Sequence, residues 1–317
     1  MIPCQYRHPT DQRLLDHPLH QCDWTEESVT GEPVMLPGRP DDPLAFEPKC
    51  CARCQGWADP AGFFYQGYDG DSARFADELL QRWRTEPSAV RDVPDVTLVC
   101  VDCVNPQLAA MALDVSRRGL QFSEALLLSH GKPPIMPPGI GWHPIPLLDK
   151  DDYNRFCLAD LWRYVHTSHC LTIQTDGFVL RPELWDNAWL AYDYIGAPWP
   201  AHKRHAIKSR VGNSGCCLRS KRLLSSTPQW AAIFDSFRWD GALYDDVATC
   251  LGMRSALVAV GMQFAPPAVA ARFAVEEVTE FATGLQHCFG FHNRRHFPVN
   301  LLAGELEAWE QRTCRTI

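Results

Sequence analysis

The chain has 317 residues, 46% of them hydrophobic, with 14 cysteines and a formal net charge of −8. The acidic charge argues against a general nucleic-acid coat protein, since phosphate binding relies on Lys and Arg, although a local basic groove stays open. No apolar run approaches the roughly 18 residues of a membrane span and no signal-peptide apolar region opens the chain, so we expect a soluble, cytoplasmic protein whose cysteines are thiols or metal ligands.

The first part of the chain, 1–70, differs from the rest and is predicted to form a separate small module. It holds a C-x₂-C knuckle at Cys51 and Cys54, and Cys4 and Cys22 could complete a tetrahedral zinc site. A segment this short and loop-rich needs a staple to fold, and structural Zn²⁺ would supply one. The alternative is a set of unligated thiols that pack as small hydrophobic groups.

The second part, 71–317, is predicted to be one larger domain. Its predicted elements, in chain order, are a helix at Asp71–Arg84, a strand at Val96–Val101, a helix at Gln107–Arg118, a strand at Ala125–Leu128, a proline-rich loop at Lys132–Pro146, a helix at Asp151–His166 and a strand at His169–Ile173. Strand, helix and strand in this order start a parallel, nucleotide-binding sheet. We therefore predict an α/β fold with a Rossmann-like sheet that carries helices on both faces.

Carboxylates follow two of these strands at their carboxyl ends, which is the edge of an open α/β sheet where ligands bind. Asp102 follows the first strand and could simply cap the next helix. Asp176 lies in the turn from Gln174 to Gly177, directly after a strand, and the glycine lets the backbone reverse. A carboxylate there can hold a divalent cation, which the leaving group of a nucleotide-diphosphate sugar needs in order to depart.

Four motifs, QTDGF, YDYIGAPW, GNSGCCLRS and FGFH, occur in an order and spacing that resemble a bacterial and phage family. That family is largely uncharacterised and is similar to GT-A-fold glycosyltransferases. The resemblance runs from about Pro94 to about Asn293. The family usually has GNGGFSLR in the third motif, and Glu-Asp where this chain has Asp245 and Asp246. The resemblance implies a GT-A-like sheet that binds a nucleotide-diphosphate sugar.

The resemblance also implies which residues contact donor or substrate. They are Asp102, Gln174, Thr175, Asp176, Trp199, Gly212, Asn213, Gly215 and Arg219. Asp102 would face the nucleotide, and the glycines around Asn213 would let the backbone approach a sugar whose hydroxyls the side chain binds. The alternative for this loop is a tight turn with a solvated charged face. Trp199 is expected to stack on a sugar or base, whereas most other aromatics are expected in the core.

The catalytic metal site that the resemblance implies consists of Asp176 and His292. The usual GT-A signature is Asp-x-Asp, of which this chain keeps only the last carboxylate. One carboxylate with a diphosphate and waters can hold Mg²⁺ or Mn²⁺, and a histidine ligand would favour Mn²⁺. Taken alone, His292 could equally be a packing or surface histidine.

The predicted catalytic residues are Asp246 as general base and Asp245 as its support. An inverting sugar transfer needs a carboxylate near the acceptor hydroxyl to take its proton. Two adjacent acids at the start of a helix, here Tyr244–Leu251, are alternatively ordinary partners of the helix dipole. Glu276 is expected beside the site rather than in contact with substrate.

The expected function is sugar transfer from a nucleotide-diphosphate sugar to an acceptor hydroxyl. A glycan is the expected acceptor, with a hydroxymethylated DNA base second, because basic segments flank the site at Lys203–Arg222 and Arg294–His296. One rival is a non-catalytic sugar-nucleotide or glycan-binding protein, which the missing first Asp favours. Another is a nucleotidyltransferase, which would need more carboxylates at the metal and a glycine-rich lysine loop that is not apparent here. The sequence predicts no oligomeric state.

Overall fold

The computed structural model describes 81, 83–85, 89–200, 209–239, 241–277, 279, 281, 287–292 and 299–314, with backbone only at 299–304. The chain divides into two units at Phe75 and Ala76, and every described residue belongs to the second. Four sequence predictions lie wholly or mostly outside the described residues. They are the zinc ligands Cys4, Cys22, Cys51 and Cys54, the helix at Asp71–Arg84, of which only 81, 83 and 84 are described, the basic segment 203–208, and the basic residues 294–296.

A six-stranded mixed sheet forms the centre of the second unit, with the strand order β3-β2-β1-β4-β6-β5. Its strands are β1 (Arg91–Val101), β2 (Leu120–Ser129), β3 (Gly141–Pro144), β4 (His169–Ile173), β5 (Tyr194–Ile195) and β6 (Cys216–Ser220). Strand β1 pairs in parallel with β2 and β4, and β2 pairs in parallel with β3. Strand β6 pairs antiparallel with β4 and β5. A small parallel sheet joins β7 (Ala274–Val275) to β8 (Gly290–Phe291).

Helices connect and flank these strands, so the predicted α/β class is confirmed. They are α1 (Pro106–Ser116), α2 (Lys150–Ala159), α3 (Lys221–Ser226), α4 (Asp245–Val247), α5 (Arg254–Ala259), α6 (Pro267–Phe273) and α7 (Val299–Cys314). Short 3₁₀ segments span Leu161–Tyr164, Pro182–Leu184, Asn187–Ala191 and Thr227–Phe237, and a π-helical turn spans Ala248–Gly252. In the part of the chain that the structure describes, no helix combines the length and apolar character that crossing a bilayer requires.

The order of the strands creates a switch point between β1 and β4. From β1 the chain steps outward to β2 and β3, and it then crosses back to place β4 on the other side of β1. Crossover connections between parallel strands are right-handed. The connection from β1 to β2 and the one from β3 to β4 run in opposite directions across the sheet, so α1 and α2 lie on opposite faces. Ligands of open α/β sheets bind at the carboxyl ends of the two strands that flank such a point.

The core on one face of the sheet is built from alternate strand residues and from α2 and α3. Val99 of β1 and Leu126 of β2 pack there with Phe156 of α2 and Leu224 of α3. Helix α1 contributes nothing to this described cluster and packs instead on β1 and β2. This arrangement agrees with helices on both faces and holds the carboxyl ends of β1 and β4 in place.

The structure corrects two predicted elements on the way to the site. The proline-rich stretch predicted as a loop contains strand β3, whose Gly141 pairs with Leu126. An edge strand tolerates proline because one of its sides forms no ladder hydrogen bonds. The helix predicted at Asp151–His166 ends at Ala159 and gives way to a 3₁₀ turn.

Candidate functional site

The turn after β1 is shaped by Asp102. Its Oδ1 accepts hydrogen bonds from the backbone N–H groups of Val104 and Asn105, both at 2.7 Å. The capping residue of α1 is Asn105, whose side chain accepts from the N–H of Leu108. Asp102 is therefore not the helix cap that the sequence left open as an alternative. It is half-buried and fixes the loop at the carboxyl end of β1.

The turn after β4 places Asp176 at the same edge of the sheet. Two backbone hydrogen bonds close it: the Gln174 N–H donates to the Gly177 carbonyl at 2.7 Å, and the Gly177 N–H donates back at 3.1 Å. Thr175 and Asp176 form its half-buried tip. Burial raises the pKa of the Cys100 thiol in β1, and Asp102 and Asp176 raise it further, so both carboxylates lie close to the end of β1.

The small parallel sheet brings Glu276 next to His292. Val275 pairs with Phe291 in register, and the His292 N–H donates to the Val275 carbonyl at 2.9 Å. Glu276 follows Val275 and His292 follows Phe291, so these two residues are neighbours. Phe291 also donates to the Phe178 carbonyl at 3.2 Å, which ties this sheet to the chain just after Asp176.

The imidazole of His292 lies between carboxylates. Its Nδ1 is 3.2 Å from Glu276 Oε2, and its Nε2 is 3.6 Å from Asp176 Oδ1 and 3.0 Å from Gln174 Oε1. Burial lowers the pKa of His292, but Glu276, then Asp176 and Asp246, outweigh it and raise that pKa to about 9. In the absence of a cation, His292 is thus an imidazolium that links these acids.

Two motif glycines make room for this ring. A Cβ at Gly215 would lie 2.0 Å from His292 Cδ2, and a Cβ at Gly177 would lie 2.8 Å from the same atom. Real Cβ atoms do not approach other atoms this closely, so any side chain would push the imidazole away. The glycines of the QTDGF and GNSGCCLRS motifs therefore serve the histidine of the FGFH motif.

The donor set at this edge fits a divalent cation. Asp176 Oδ1 and His292 Nε2 are close enough to share one metal, and they supply the carboxylate and imidazole that Mn²⁺ accepts. Glu276 at Nδ1 is the carboxylate that typically orients a metal-binding histidine. Among the described residues no three such side chains are placed to hold one metal ion together, so diphosphate oxygens and waters would have to complete the shell.

Asp246 lies close to Glu276 and His292, and its pKa is raised well above the usual value of a carboxyl group. Its carboxylate accepts the N–H of Asn213 at 3.0 Å and the N–H of Val247 at 2.8 Å. Burial, then the charges of Asp245 and Glu276, raise the pKa of Asp246 to about 7, against these two hydrogen bonds. A carboxylate with a pKa near neutrality is suited to take a proton in catalysis.

Asp245 has a different role from its neighbour. It is 2% exposed and forms a buried ion pair with Arg219, which is 3% exposed. It also accepts a hydrogen bond from Ser214 Oγ at 2.7 Å, and its N–H donates to Asn154 Oδ1 at 2.8 Å. The guanidinium of Arg219 is buried against Asp245, so its predicted contact with the donor stays a prediction. Asp245 supports the site by holding the loop that carries Ser214.

Trp199 is likewise a packing residue, not the expected exposed platform. It is 3% exposed, and a Cβ at Gly212 would lie 1.9 Å from its ring. Its Nε1 donates to Asn213 Oδ1 at 2.8 Å, while Asn213 Nδ2 donates to the Ala197 carbonyl at 3.1 Å. The side chain of Asn213 is thus engaged within the protein and does not face sugar hydroxyls. Its backbone has φ 58°, a left-handed conformation that Asn tolerates.

Three side chains that sequence reasoning did not assign to the site contribute to it. Tyr153 of α2 accepts a hydrogen bond from Gln174 Nε2 at 2.8 Å. Asn154, next to it, positions the backbone of Asp245, and Ser214 binds the carboxylate of the same residue. The Ser between the two motif glycines was the available signal for Ser214. The pairing of α2 with the site has no local signal in the sequence.

One protein-family model, of a family whose role is not assigned, matches part of this chain. The model of a family described as protein of unknown function (DUF5672) matches residues 144–292. This stretch includes the turn at Gln174, both acids at Asp245 and Asp246, Glu276 and His292, and it leaves out strand β1. A search of curated protein sequences found no significant match.

Several solved structures resemble part of the chain. One is the galactosyltransferase LgtC in complex with donor and acceptor sugar analogs, at 12% identity over 67% of this chain and 95% of that chain, with a TM-score of 0.44. An active-site mutant of LgtC has 12% identity over the same shares of both chains, with a TM-score of 0.45. A glycosyltransferase involved in the glycosylation of the major capsid of PBCV-1 gives 10% identity over 66% of this chain and 100% of that chain, with 0.41. At such low TM-scores the likeness establishes neither a shared fold nor an activity.

Proposed function

We propose that this protein is a glycosyltransferase that moves a sugar from a nucleotide-diphosphate sugar to an acceptor hydroxyl, on a GT-A-like sheet. The observation that supports this most is the meeting of Asp176, His292, Glu276 and Asp246 at the switch-point edge of the sheet. One pair of these groups can hold a cation, and a separate carboxylate has the acidity of a general base. A metal-assisted, inverting sugar transfer from a diphosphate uses both.

The donor diphosphate would bind at the turn after β4. Asp176 Oδ1 and His292 Nε2 would hold Mn²⁺ or Mg²⁺, which when bound supplies positive charge to the departing diphosphate. Glu276 keeps the imidazole oriented, and Gln174 restrains it from the other side. The nucleotide would lie toward the turn of Asp102, at the end of the neighbouring strand.

Asp246 would act on the acceptor. Its carboxylate takes the proton of the acceptor hydroxyl as the acceptor oxygen bonds to the anomeric carbon. The bond from that carbon to the diphosphate oxygen breaks, and its electron pair leaves with the diphosphate. Attack from the face opposite the leaving group makes the transfer inverting. With a pKa of about 7, Asp246 is about half ionised at neutral pH and its carboxylate accepts a proton readily.

As the acceptor we propose a glycan hydroxyl, with a hydroxymethylated DNA base as the second candidate. Three carboxylates, Asp176, Asp246 and Glu276, are gathered with a single imidazolium. A phosphodiester backbone close to these acids would be repelled, whereas a neutral sugar would not. The basic residues that could offset this repulsion, Lys203–Lys208, lie outside the described residues, so DNA stays the second candidate.

A donor panel tests the proposal directly. Purified protein is incubated with nucleotide-diphosphate sugars, with Mn²⁺ or with chelator, and release of the nucleotide diphosphate is measured. We expect release with at least one donor, stimulated by Mn²⁺ and lost in Asp176→Ala. Adding oligosaccharides or hydroxymethylated duplex DNA should then accelerate release with one acceptor class only. Saturable donor binding without any release would instead identify a non-catalytic binding protein. Transfer of a nucleotidyl group would identify a nucleotidyltransferase.

For 1–70 we also propose one structural Zn²⁺, held by Cys4, Cys22, Cys51 and Cys54. The support is the cysteine spacing together with the need of a short loop-rich segment for a staple. Elemental analysis of protein purified without chelator should give one zinc per chain. A content far below one would remove the proposal.

A further inference from the structure

A cavity lies at the amino-terminal ends of the parallel strands, opposite the end of the strands that carries Asp102 and Asp176. It has a volume of about 690 Å³ and is lined by the start of β2, the end of α1, the last turn of α7 and the turn around Gly139. Asp102 and Asp176 lie at the carboxyl ends of the parallel strands, whereas Leu120 at this cavity begins β2. The volume falls within the range of small-molecule sites.

Arginines dominate the charged lining of this cavity. Four of them, Arg84, Arg117, Arg118 and Arg312, are among its lining residues. The carboxylates that lie with them among the described residues are Asp114 and Glu124 in the lining and Glu305 beside it. The guanidiniums therefore outnumber the acids.

The pairing of these charges is uneven. Arg117 is bound closely by Asp114 at 3.0 Å, and Arg84 lies 2.5 Å from Glu305. Arg118 shares Asp114 only at 3.9 Å, and that carboxylate also accepts the indole N–H of Trp309 at 2.9 Å. The charge of Arg118 is thus the least neutralised of these three.

Neutralisation of helix dipoles accounts for part of this cluster, since α1 and α7 both end here and cations favour helix carboxyl ends. It does not account for all of it. Burial lowers the pKa of Arg312, and the like charges of Arg118 and Arg84 lower it further despite Glu305 and Asp114. The charges of Arg118 and Arg84 thus act on Arg312 within this cluster, and a bound anion would offset them.

From the cavity, its volume and its convergent arginines, we propose that this is a second binding site for a small phosphorylated ligand of nucleotide or sugar-phosphate size. A guanidinium group donates two parallel hydrogen bonds to the oxygens of one anion, and the larger charge of a phosphate monoester suits several arginines better than a simple carboxylate does. A concave cavity of this volume encloses a small molecule and does not follow an extended backbone. Arg118 and Arg312 would make the contacts, and Asp114 would hold Arg117 in the wall.

Calorimetric titration of the full chain tests the site, with inorganic pyrophosphate and AMP as probes and with EDTA to remove divalent cations. We expect saturable binding, weakened about tenfold in R118Q and about a hundredfold in R118Q/R312Q, because each lost charge-assisted contact costs about tenfold. The single variant R118Q serves if the double variant does not fold by circular dichroism. The matched control is R163Q, at an exposed arginine whose partner is Asp160.

D176N, titrated with Mn²⁺ present in place of EDTA, separates this site from the proposed donor site, because there Asp176 would hold the cation that the diphosphate needs. It should bind both probes as the unaltered protein does, even if it has lost sugar transfer. Binding that D176N abolishes would place the anion at the other edge of the sheet and overturn the proposal. Absence of saturable binding at millimolar probe, or equal binding by R118Q/R312Q and R163Q, would also overturn it.

Discussion

Gly215 lies directly against the imidazole of His292, so closely that a Cβ on the glycine would stand 2.0 Å from Cδ2 of the ring. This contact joins the third and fourth sequence motifs into one unit. The same loop carries Asn213, whose backbone N–H binds Asp246. The position of the histidine and that of the proposed base are therefore set by one short stretch of backbone.

Gly215→Ala should displace His292 and lower turnover by roughly 10²-fold, since a displacement of about 1 Å in a catalytic site can have that cost. Binding of Mn²⁺ should weaken in parallel. The matched control is Gly131→Ala, because a Cβ at Gly131 would meet nothing within 4 Å. Rates and Mn²⁺ affinities are measured for both variants. Equal activity of Gly215→Ala and the control would show that the ring position does not matter.

Asp246→Asn and Asp245→Asn should fail in different ways. Asp246→Asn should lower turnover by roughly 10² to 10⁴ with little change in donor KM, as expected for loss of a general base. Asp245→Asn leaves Arg219 buried without its charge partner, which should lower the melting temperature strongly. Steady-state kinetics and thermal unfolding of both variants separate the roles. A stable Asp245→Asn with the larger kinetic defect would reverse the assignment.

The pH dependence of activity should follow Asp246. The base acts in its ionised form, so kcat/KM should rise with pH and level off above its pKa of about 7. The same shift affects stability. Because the folded-state pKa is raised above the unfolded value of 3.8, the folded protein binds the extra proton between these values, and stability falls as pH rises through this window. In Asp246→Asn both effects should disappear from rate and urea-unfolding profiles; an unchanged profile would assign them to another group.

The sheet and the edge that carries the site could be predicted from the sequence, because β-branched runs followed by acids mark strand ends locally. The burial of Trp199 and Arg219 could not, since whether a motif residue faces a ligand or the interior depends on tertiary packing. The adjacency of Glu276 and His292 depends on two strands of two residues each, too short to show any periodicity. The resemblance to known motifs supplied His292, while the partner that orients it comes from the structure.

Cation binding should release a proton from His292. Without a cation its pKa is about 9, and a metal binds only the neutral imidazole, so Mn²⁺ must displace the proton at neutral pH. Affinity for Mn²⁺ should accordingly rise with pH up to about 9. Calorimetry in two buffers of different ionisation enthalpy, at pH 7 and pH 8, measures the protons released.

His292→Gln should bind Mn²⁺ more weakly and release no proton, whereas His143→Gln, at an exposed histidine, should behave as the unaltered protein. Tight binding without proton release would mean that the cation is held elsewhere, and Asp176 and His292 would lose their assignment as its ligands.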